Sequence, residues 1–210
     1  MRLVWGARTE RFYESGVDYG VLYTSDLLGF AWSGLISVTE SPSGGEARPY
    51  YHDGVKYANI AAAEEFEATV TAFSSPPEFA ECDGVVSVNN GLFATQQPRR
   101  PFHLSYRSRI GNEVEGPNHG YKIHIVYNAL AAPSQRDHQT VNNSVDPTTF
   151  SWDITTLPPE TTGYKRTSHF VVDSRYTPAE ILTELMDILY GTEPEQARLP
   201  ETDELLTIFA

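Results

Sequence analysis

The sequence contains one cysteine, Cys82, and no run of about 18 consecutive apolar residues. A single thiol excludes an internal disulfide and leaves too few thiolates for a structural zinc site, so we expect Cys82 to be buried or inert. Without a long apolar run, no transmembrane helix is expected. The N-terminal stretch also lacks the apolar segment of a secretory signal, so we expect the chain to stay in the cytoplasm where it is made.

Basic residues are scarce, with 15 Lys and Arg against 28 Asp and Glu and a net charge of −13. This balance argues against a protein that grips nucleic-acid phosphates. Residues 91–140 alone have a basic excess, six against three, between two acidic flanks. Such a pattern allows copies of the chain to bind head to tail, since unlike charged patches meet in a heterologous interface. The alternative is that the charges are scattered over a solvated surface.

Motifs of common enzymes are absent. The sequence has no GxSxG elbow, no HExxH helix and no glycine-rich phosphate loop. Among six histidines, His119 and His124 stand five apart, which matches no closed metal motif, so ordinary histidines are favoured. We therefore expect no metal, no cofactor and no enzymatic activity. A hydrolase using Asp137, His138 and Glu113 is the distant alternative.

Glu78, Glu81 and Asp83 form an acidic group after Pro76-Pro77. Calcium binding is one reading of them, but they lack the alternating carboxylates of an EF-hand loop. A solvated acidic turn, closed by Gly84, is favoured.

Alternation of apolar and polar residues is the main structural signal that is present. Phe66, Ala68, Val70 and Ala72 alternate with Glu67, Thr69, Thr71 and Phe73, and Pro76-Pro77 ends the pattern. Further strands are predicted at 17–23, 31–39, 50–57, 85–95, 102–110, 121–127, 150–155 and 168–173. Turns are expected at Asp53-Gly54 and Asn89-Asn90-Gly91, and the strands at 102–110 and 121–127 are expected to pair antiparallel.

One clear helix is predicted from Pro178 to Tyr190. Thr177 is expected to cap it and Gly191 to follow its end, while a stripe of Ile and Leu at helical spacing packs on a sheet. The acidic tail after Gly191 ends in a small apolar group that can dock on a neighbour or on the chain's own core. Many strands and one or two helices predict a single domain of 210 residues, mainly an antiparallel β-sandwich with a packed helix. Residues 1–16 are expected to form an arm or edge strand.

Four strings of the sequence resemble the major tail protein, or tail tube protein, of long-tailed, non-contractile bacteriophages (siphophages). They are SVTESPSGGEARPYYHDGVKYANIAAAEEFEATVTAFSSPPEFAECDG, RRPFHLSYRSRIGNEVEGPNHGYKIHIVYNALAAPS, FSWDITTLPP and VVDSRYTPAEILTELMDILYGTE. The most specific parts are EEFEATVTAF followed by PPEFAECDG, then HGYKIHIVYNALAAPS and LMDILYGTE, in this order. The resemblance runs from about Trp5 to the C-terminus.

The resemblance implies a structural virion protein whose copies form six-membered rings, with strands continuing into a closed inner β-barrel. The rings stack into a tube that conducts DNA without binding it specifically. It also implies a tape-measure protein, a tail terminator and tail-tip proteins as partners, and no membrane insertion. An acidic lumen repels phosphate, and if the barrel uses strands near 31–39, 50–57, 66–74 and 121–127, Glu67, Thr69 and Thr71 are candidates to face it.

The loop from Glu40 to Pro49 resembles the long projection with which such subunits touch the next ring. Its candidate contact residues are Ser41, Ser43, Gly44, Gly45, Glu46 and Arg48. The alternative from another class is a receptor- or carbohydrate-binding module of a tail tip. In that reading, exposed Tyr50, Tyr51 and Trp152 serve as stacking platforms.

Overall fold

The structure is a computed structural model that describes Gly6, residues 11–138, Thr140 and residues 147–210. Most of the predicted N-terminal arm lies outside these residues, and Phe12 already begins the first strand. The strands are β1 (Phe12–Tyr23), β2 (Gly29–Ala31), β3 (Leu35–Glu40), β4 (Ser43–Gly44), β5 (Ala47–His52), β6 (Val55–Ala61), β7 (Glu64–Glu65), β8 (Glu67–Ala72), β9 (Val86–Asn89), β10 (Leu92–Ala94), β11 (Phe102–Asn112), β12 (Gly116–Ala131), β13 (Phe150–Thr156) and β14 (His169–Asp173). The helices are α1 (Ala179–Tyr190) and α2 (Thr202–Ile208), with a 3-10 turn at Pro77–Ala80.

Eight of these strands form one antiparallel sheet. Its order is β2-β1-β11-β12-β13-β8-β3, and β14 pairs with β12 beside this path. The expected pair of strands is β11 and β12, which join in antiparallel register from Phe102 opposite Ala129 to Asn112 opposite Gly116. The predicted class, a mainly β antiparallel sandwich with a packed helix, is confirmed, and the structure has an open sandwich with two short helices.

The first core lies inside the sandwich. Its buried side chains come from both ends of the sheet, including Leu104 on β11, Val70 on β8 and Trp152 on β13. The alternation predicted for β8 is confirmed, because Ala68, Val70 and Ala72 are buried and the residues between them are not. Because strands from opposite ends of the sheet share one core, the sheet must fold over on itself.

The second core lies on the opposite face of β12, under the helices. Leu185 and Leu189 of α1 pack with Ile123 and Ile125, as the apolar stripe predicted. The C-terminal apolar group also docks on the chain's own core, because Leu205 of α2 is buried there. None of the described helices is long and apolar enough to cross a lipid bilayer.

The predicted cap of α1 by Thr177 is wrong. Its hydroxyl donates to the carbonyl oxygen of Asp173 at 3.0 Å, and Pro178 occupies the N-cap position without a side-chain hydrogen bond. The Thr177 hydroxyl is therefore part of the tight turn between β14 and α1 and does not cap the helix. The C-terminal prediction is confirmed, since Gly191 follows the helix with φ of 78°.

Truncating the helix face should destabilise the fold. Leu185→Ala removes a fully buried side chain, and we expect it to lower the free energy of unfolding by about 2–5 kcal/mol. Exposed Glu184→Ala is the matched control on the same helix, with an expected change within about 0.5 kcal/mol. Urea unfolding followed by far-UV circular dichroism measures both. A cost below about 1 kcal/mol for Leu185→Ala would show that α1 does not anchor the second core.

Candidate assembly surface

A β-hairpin formed by β5 and β6 lies outside the main sheet. Among the residues that the structure describes, its strands pair only with each other, from Ala47 opposite Ala61 to His52 opposite Val55. Asp53 and Gly54 form the tip with φ of 49° and 76°, as the Asp-Gly turn predicted. A two-residue ladder, β4 with β7, joins the base of the hairpin through Ser43 opposite Glu65.

The projection is longer than the predicted loop from Glu40 to Pro49. Ser43 and Gly44 form β4, Arg48 lies in β5, and the paired segment continues to Glu65. The other candidate contact residues, Ser41, Gly45 and Glu46, flank these two strands near the base. A side chain at Gly44 would collide with the carbonyl group of Ala63. That position therefore requires glycine, and the loop has a defined backbone conformation.

Large apolar side chains of the hairpin are exposed to solvent. The exposed fractions are 67% for Tyr51, 68% for Val55, 80% for Tyr57 and 59% for Ile60. No residue of β5 or β6 is buried. An isolated two-stranded hairpin is marginally stable in water, and an apolar patch of this kind marks an interaction site. The hairpin therefore has the properties of a segment that packs on another protein surface.

A second exposed hairpin, β9 with β10, lies where the sequence predicted short strands broken by a turn at Asn89-Asn90-Gly91. Val86, Val88, Leu92 and Phe93 are all exposed on it, and it too is separate from the main sheet. The signal that could have identified it as a surface is the high apolar content on both sides of the Asn-Gly turn at Asn90-Gly91. A free sheet edge adds to these surfaces, because β3 ends the sheet and, in the described part of the chain, its one strand partner is β8.

The three lumen candidates lie on the outward face of β8. Thr69 stands opposite Thr39 on β3 and Asp153 on β13, and its hydroxyl donates to Asp153 Oδ1 at 2.6 Å. The paired outward positions on these three strands form what we term the polar face: Ser37, Thr39, Glu67, Thr69, Thr71, Ser151, Asp153 and Thr155. It contains two carboxylates and no basic side chain, so it presents short hydroxyls and negative charge.

Two of the other strands considered for a lumen occupy unsuitable positions. The segment 121–127 lies in β12, where Ile123 and Ile125 are covered by α1 and Val126 is buried in the first core. Both faces of that segment are thus covered, and its assignment to a channel wall is wrong. Residues 50–57 belong to the separate hairpin, not to the main sheet. Of the four predicted segments, those in β3 and β8 present an outward polar face.

The basic segment 91–140 pairs within the chain. Every Lys and Arg in it forms an ion pair with an acidic residue: Arg99 and Arg136 with Asp83, Arg100 with Glu81, Arg107 and Arg109 with Asp18, and Lys122 with Glu14. Head-to-tail attraction through this segment is therefore not supported. Because guanidinium groups face Glu81 and Asp83, these carboxylates are also unsuited to bind calcium.

Asp18 shows how strong one of these pairs is. Burial opposes its ionisation, but hydrogen bonds from Arg107 at 2.7 Å and Arg109 at 2.6 Å outweigh that effect and hold the pKa of Asp18 below its ordinary value. The pair ties β1 to β11. It contributes to the fold of the subunit.

Three other sequence predictions can be located. Cys82 is buried, and burial raises the pKa of its thiol to about 11, as expected for an inert cysteine. Trp152 is 2% exposed, so its use as a stacking platform is wrong, whereas Tyr50 and Tyr51 are exposed. Glu113, assigned to the alternative hydrolase, pairs with Arg11 at 3.0 Å.

His124 has a neighbourhood that its spacing from His119 did not indicate. His124 on β12 lies beside His169 at the start of β14 and Glu40 at the end of β3, and ligand atoms of the three lie within 4.8 Å of one another. His119 is apart from them and contacts Glu115 and Asn112.

Comparisons with known proteins identify no family for this chain. No protein-family model and no curated protein matches it. Among solved structures, a chain of the six-fold symmetrised cryo-EM structure of the anti-feeding prophage baseplate matches 81% of this chain and 97% of its own length. The TM-score is 0.39 and the sequence identity is 10%. A likeness at that level is too low to support a conclusion about function.

Proposed function

We propose that this chain is a structural subunit of a bacteriophage tail, specifically of the tube of a siphophage. Copies form six-membered rings, and rings stack into a tube through which the genome is delivered to the host. The sequence resemblance supports this role. The observation that carries it is the hairpin of β5 and β6, which exposes Tyr51, Val55, Tyr57 and Ile60 and contains no buried residue.

The occupant of the hairpin surface is another copy of the same chain. Subunits that stack need a projecting segment that leaves one ring and packs on the next, and this hairpin projects from a subunit that already has two complete cores. The free edge of β3 supplies a second contact, because pairing with a neighbouring strand removes an exposed edge. Closure into a ring leaves no such edge open.

The polar face lines the lumen in this proposal. Glu67 and Asp153 supply negative charge without a basic partner on that face, so phosphate is repelled. DNA then passes without specific binding. A tape-measure protein, a terminator and tail-tip proteins are the further partners of such a tube, located in the virion tail, and the chain needs neither a cofactor nor an enzymatic activity for this role.

Assembly of the purified protein tests the proposal. We expect metal-free, concentration-dependent rings or filaments in sedimentation velocity and negative-stain electron microscopy. Because the exposed hairpin is apolar and the basic segment is paired internally, assembly should change little between about 0.1 and about 1 M salt. A monodisperse monomer at all concentrations would contradict it.

A tail-tip binding module is the second candidate, because Tyr50 and Tyr51 are exposed on a projecting hairpin. The same measurements separate the two functions. A trimer that binds host surface glycans and forms no filaments would favour the module.

A further inference from the structure

Three side chains with free electron pairs converge at one end of the sandwich. His124 Nδ1 lies 3.2 Å from His169 Nε2 and 3.3 Å from Glu40 Oε1. The residues come from three different strands, β12, β14 and β3. His124 is buried, His169 is half-buried and Glu40 is exposed, so the group extends from the first core to the surface. Nothing in the proposed tube function uses it.

Two of the three separations are those of ligands around one small metal ion. Zinc binds imidazole nitrogen and carboxylate oxygen at about 2.0–2.2 Å in tetrahedral geometry, so two ligand atoms lie about 3.3–3.5 Å apart. The two distances from His124 Nδ1 are close to that value, and the third separation, between His169 and Glu40, is within 4.8 Å. His124 Nδ1 carries at most one proton, so a hydrogen bond donated from it accounts for only one of the two short distances. A cation between the three atoms would satisfy all of them.

Hydrogen bonds and ring stacking from neighbouring residues orient two of the three side chains, His124 and Glu40. Ser108 Oγ lies 3.0 Å from His124 Nε2, the ring nitrogen that faces away from His169. Tyr106 donates a hydrogen bond of 2.6 Å to Glu40 Oε1, and its ring stacks on His124 with centroids 4.6 Å apart. Metal-binding histidines in proteins usually have such a partner on the second ring nitrogen.

We propose that Glu40, His124 and His169 form a binding site for a divalent transition metal of the zinc class. Two nitrogens and one carboxylate oxygen favour zinc over calcium or magnesium, which prefer oxygen ligands. The ion connects the free edge strand β3 to β12 and β14, with water in the fourth position. Its role is to fasten the edge of the subunit. This inference stands independently of the tail assignment.

Zinc titration of the full-length, chelator-treated protein tests the site. Isothermal calorimetry near neutral pH should give one equivalent of saturable binding, and cobalt should give the visible absorption of a four-coordinate site. Zinc at about 100 times its dissociation constant should raise the melting temperature by about 5 °C or more. Glu40→Gln and His169→Ala should each weaken binding at least about 100-fold, since second-shell changes alone cost about 10–100-fold.

His52→Ala is the matched control. His52 also lies beside a carboxylate, 3.3 Å from Asp53, but both side chains are exposed on the hairpin tip. It should bind zinc as the unmodified chain does. If a ligand variant fails to fold, Ser108→Ala tests the site in its place, because it removes the contact to His124 Nε2 and keeps all three ligands. Zinc binding by this variant should weaken about 10–100-fold. Equal affinity in all variants, or no one-equivalent binding in the unmodified protein, would overturn the proposal.

Discussion

Replacing Tyr51 and Tyr57 with threonine is expected to raise the critical concentration for assembly about a thousandfold, while the monomer unfolds as before. Both rings are largely exposed in the isolated subunit, at 67% and 80%. Burying an aromatic side chain at a contact contributes about 2 kcal/mol, so the pair contributes about 4 kcal/mol per subunit contact. Such a loss corresponds to about three powers of ten in affinity. Threonine keeps the strand preference of the hairpin.

The matched control uses two tyrosines of similar exposure elsewhere. Tyr164 and Tyr176 are exposed by 73% and 80% and lie outside the hairpin. Tyr164→Thr with Tyr176→Thr should assemble as the unmodified chain does. Sedimentation velocity gives the critical concentration, electron microscopy shows the filaments, and urea unfolding checks the monomer. Filaments of normal length from the hairpin double variant would refute the role of the hairpin.

Point substitutions are a sharper test than removing the loop. Deleting Ser41 to Glu46 should leave a folded monomer that no longer polymerises, but it also removes β4. The ladder of Ser43 and Gly44 with Glu65 and Glu64 is then lost, together with the hydrogen bond from Ser43 to Glu67. A failure to assemble would not distinguish the contact surface from the orientation of the hairpin.

The sequence predicted elements whose pattern is local. Period-two alternation located β8, β11, β12 and β13, and helical spacing located α1, because the same buried face determines both pattern and structure. The Asp53-Gly54 turn was likewise readable. The length of the paired segment that this turn closes was not predicted. The loop from Glu40 to Pro49 was predicted as the whole projection, whereas the structure pairs its residues with partners that follow the turn, out to Glu65.

Features that depend on distant contacts could not be predicted. The basic excess in 91–140 read as a patch for a neighbour, because charge counts do not show that Arg107 meets Asp18 across two paired strands. The segment 121–127 alternates, yet both faces are covered, one by α1 and one by the first core. The group of Glu40, His124 and His169 has no motif spacing, since the two histidines are 45 residues apart and meet only through strand pairing.

Introducing a basic residue on the polar face should convert a tube that excludes DNA into one that retains it. Asp153→Lys changes the charge by two per subunit at the centre of that face, beside Thr69. In a ring of six, about six lysines would contact phosphates. Binding of that kind weakens about a thousandfold between about 50 and about 200 mM salt. Short DNA duplexes present during assembly should be retained at low salt, resist nuclease in the pelleted filaments and be released at high salt.

Asp187→Lys is the control that separates the lumen from the outer wall. Asp187 is an exposed aspartate on α1, on the far side of β12 from the first core, so its replacement makes the same change in charge at a different surface. DNA attracted by that lysine lies outside the tube and should be digested, because nuclease reaches it. The unmodified tube should retain none, since Glu67 and Asp153 repel phosphate. Equal protection in the two lysine variants, or none in Asp153→Lys, would show that the polar face does not line the channel.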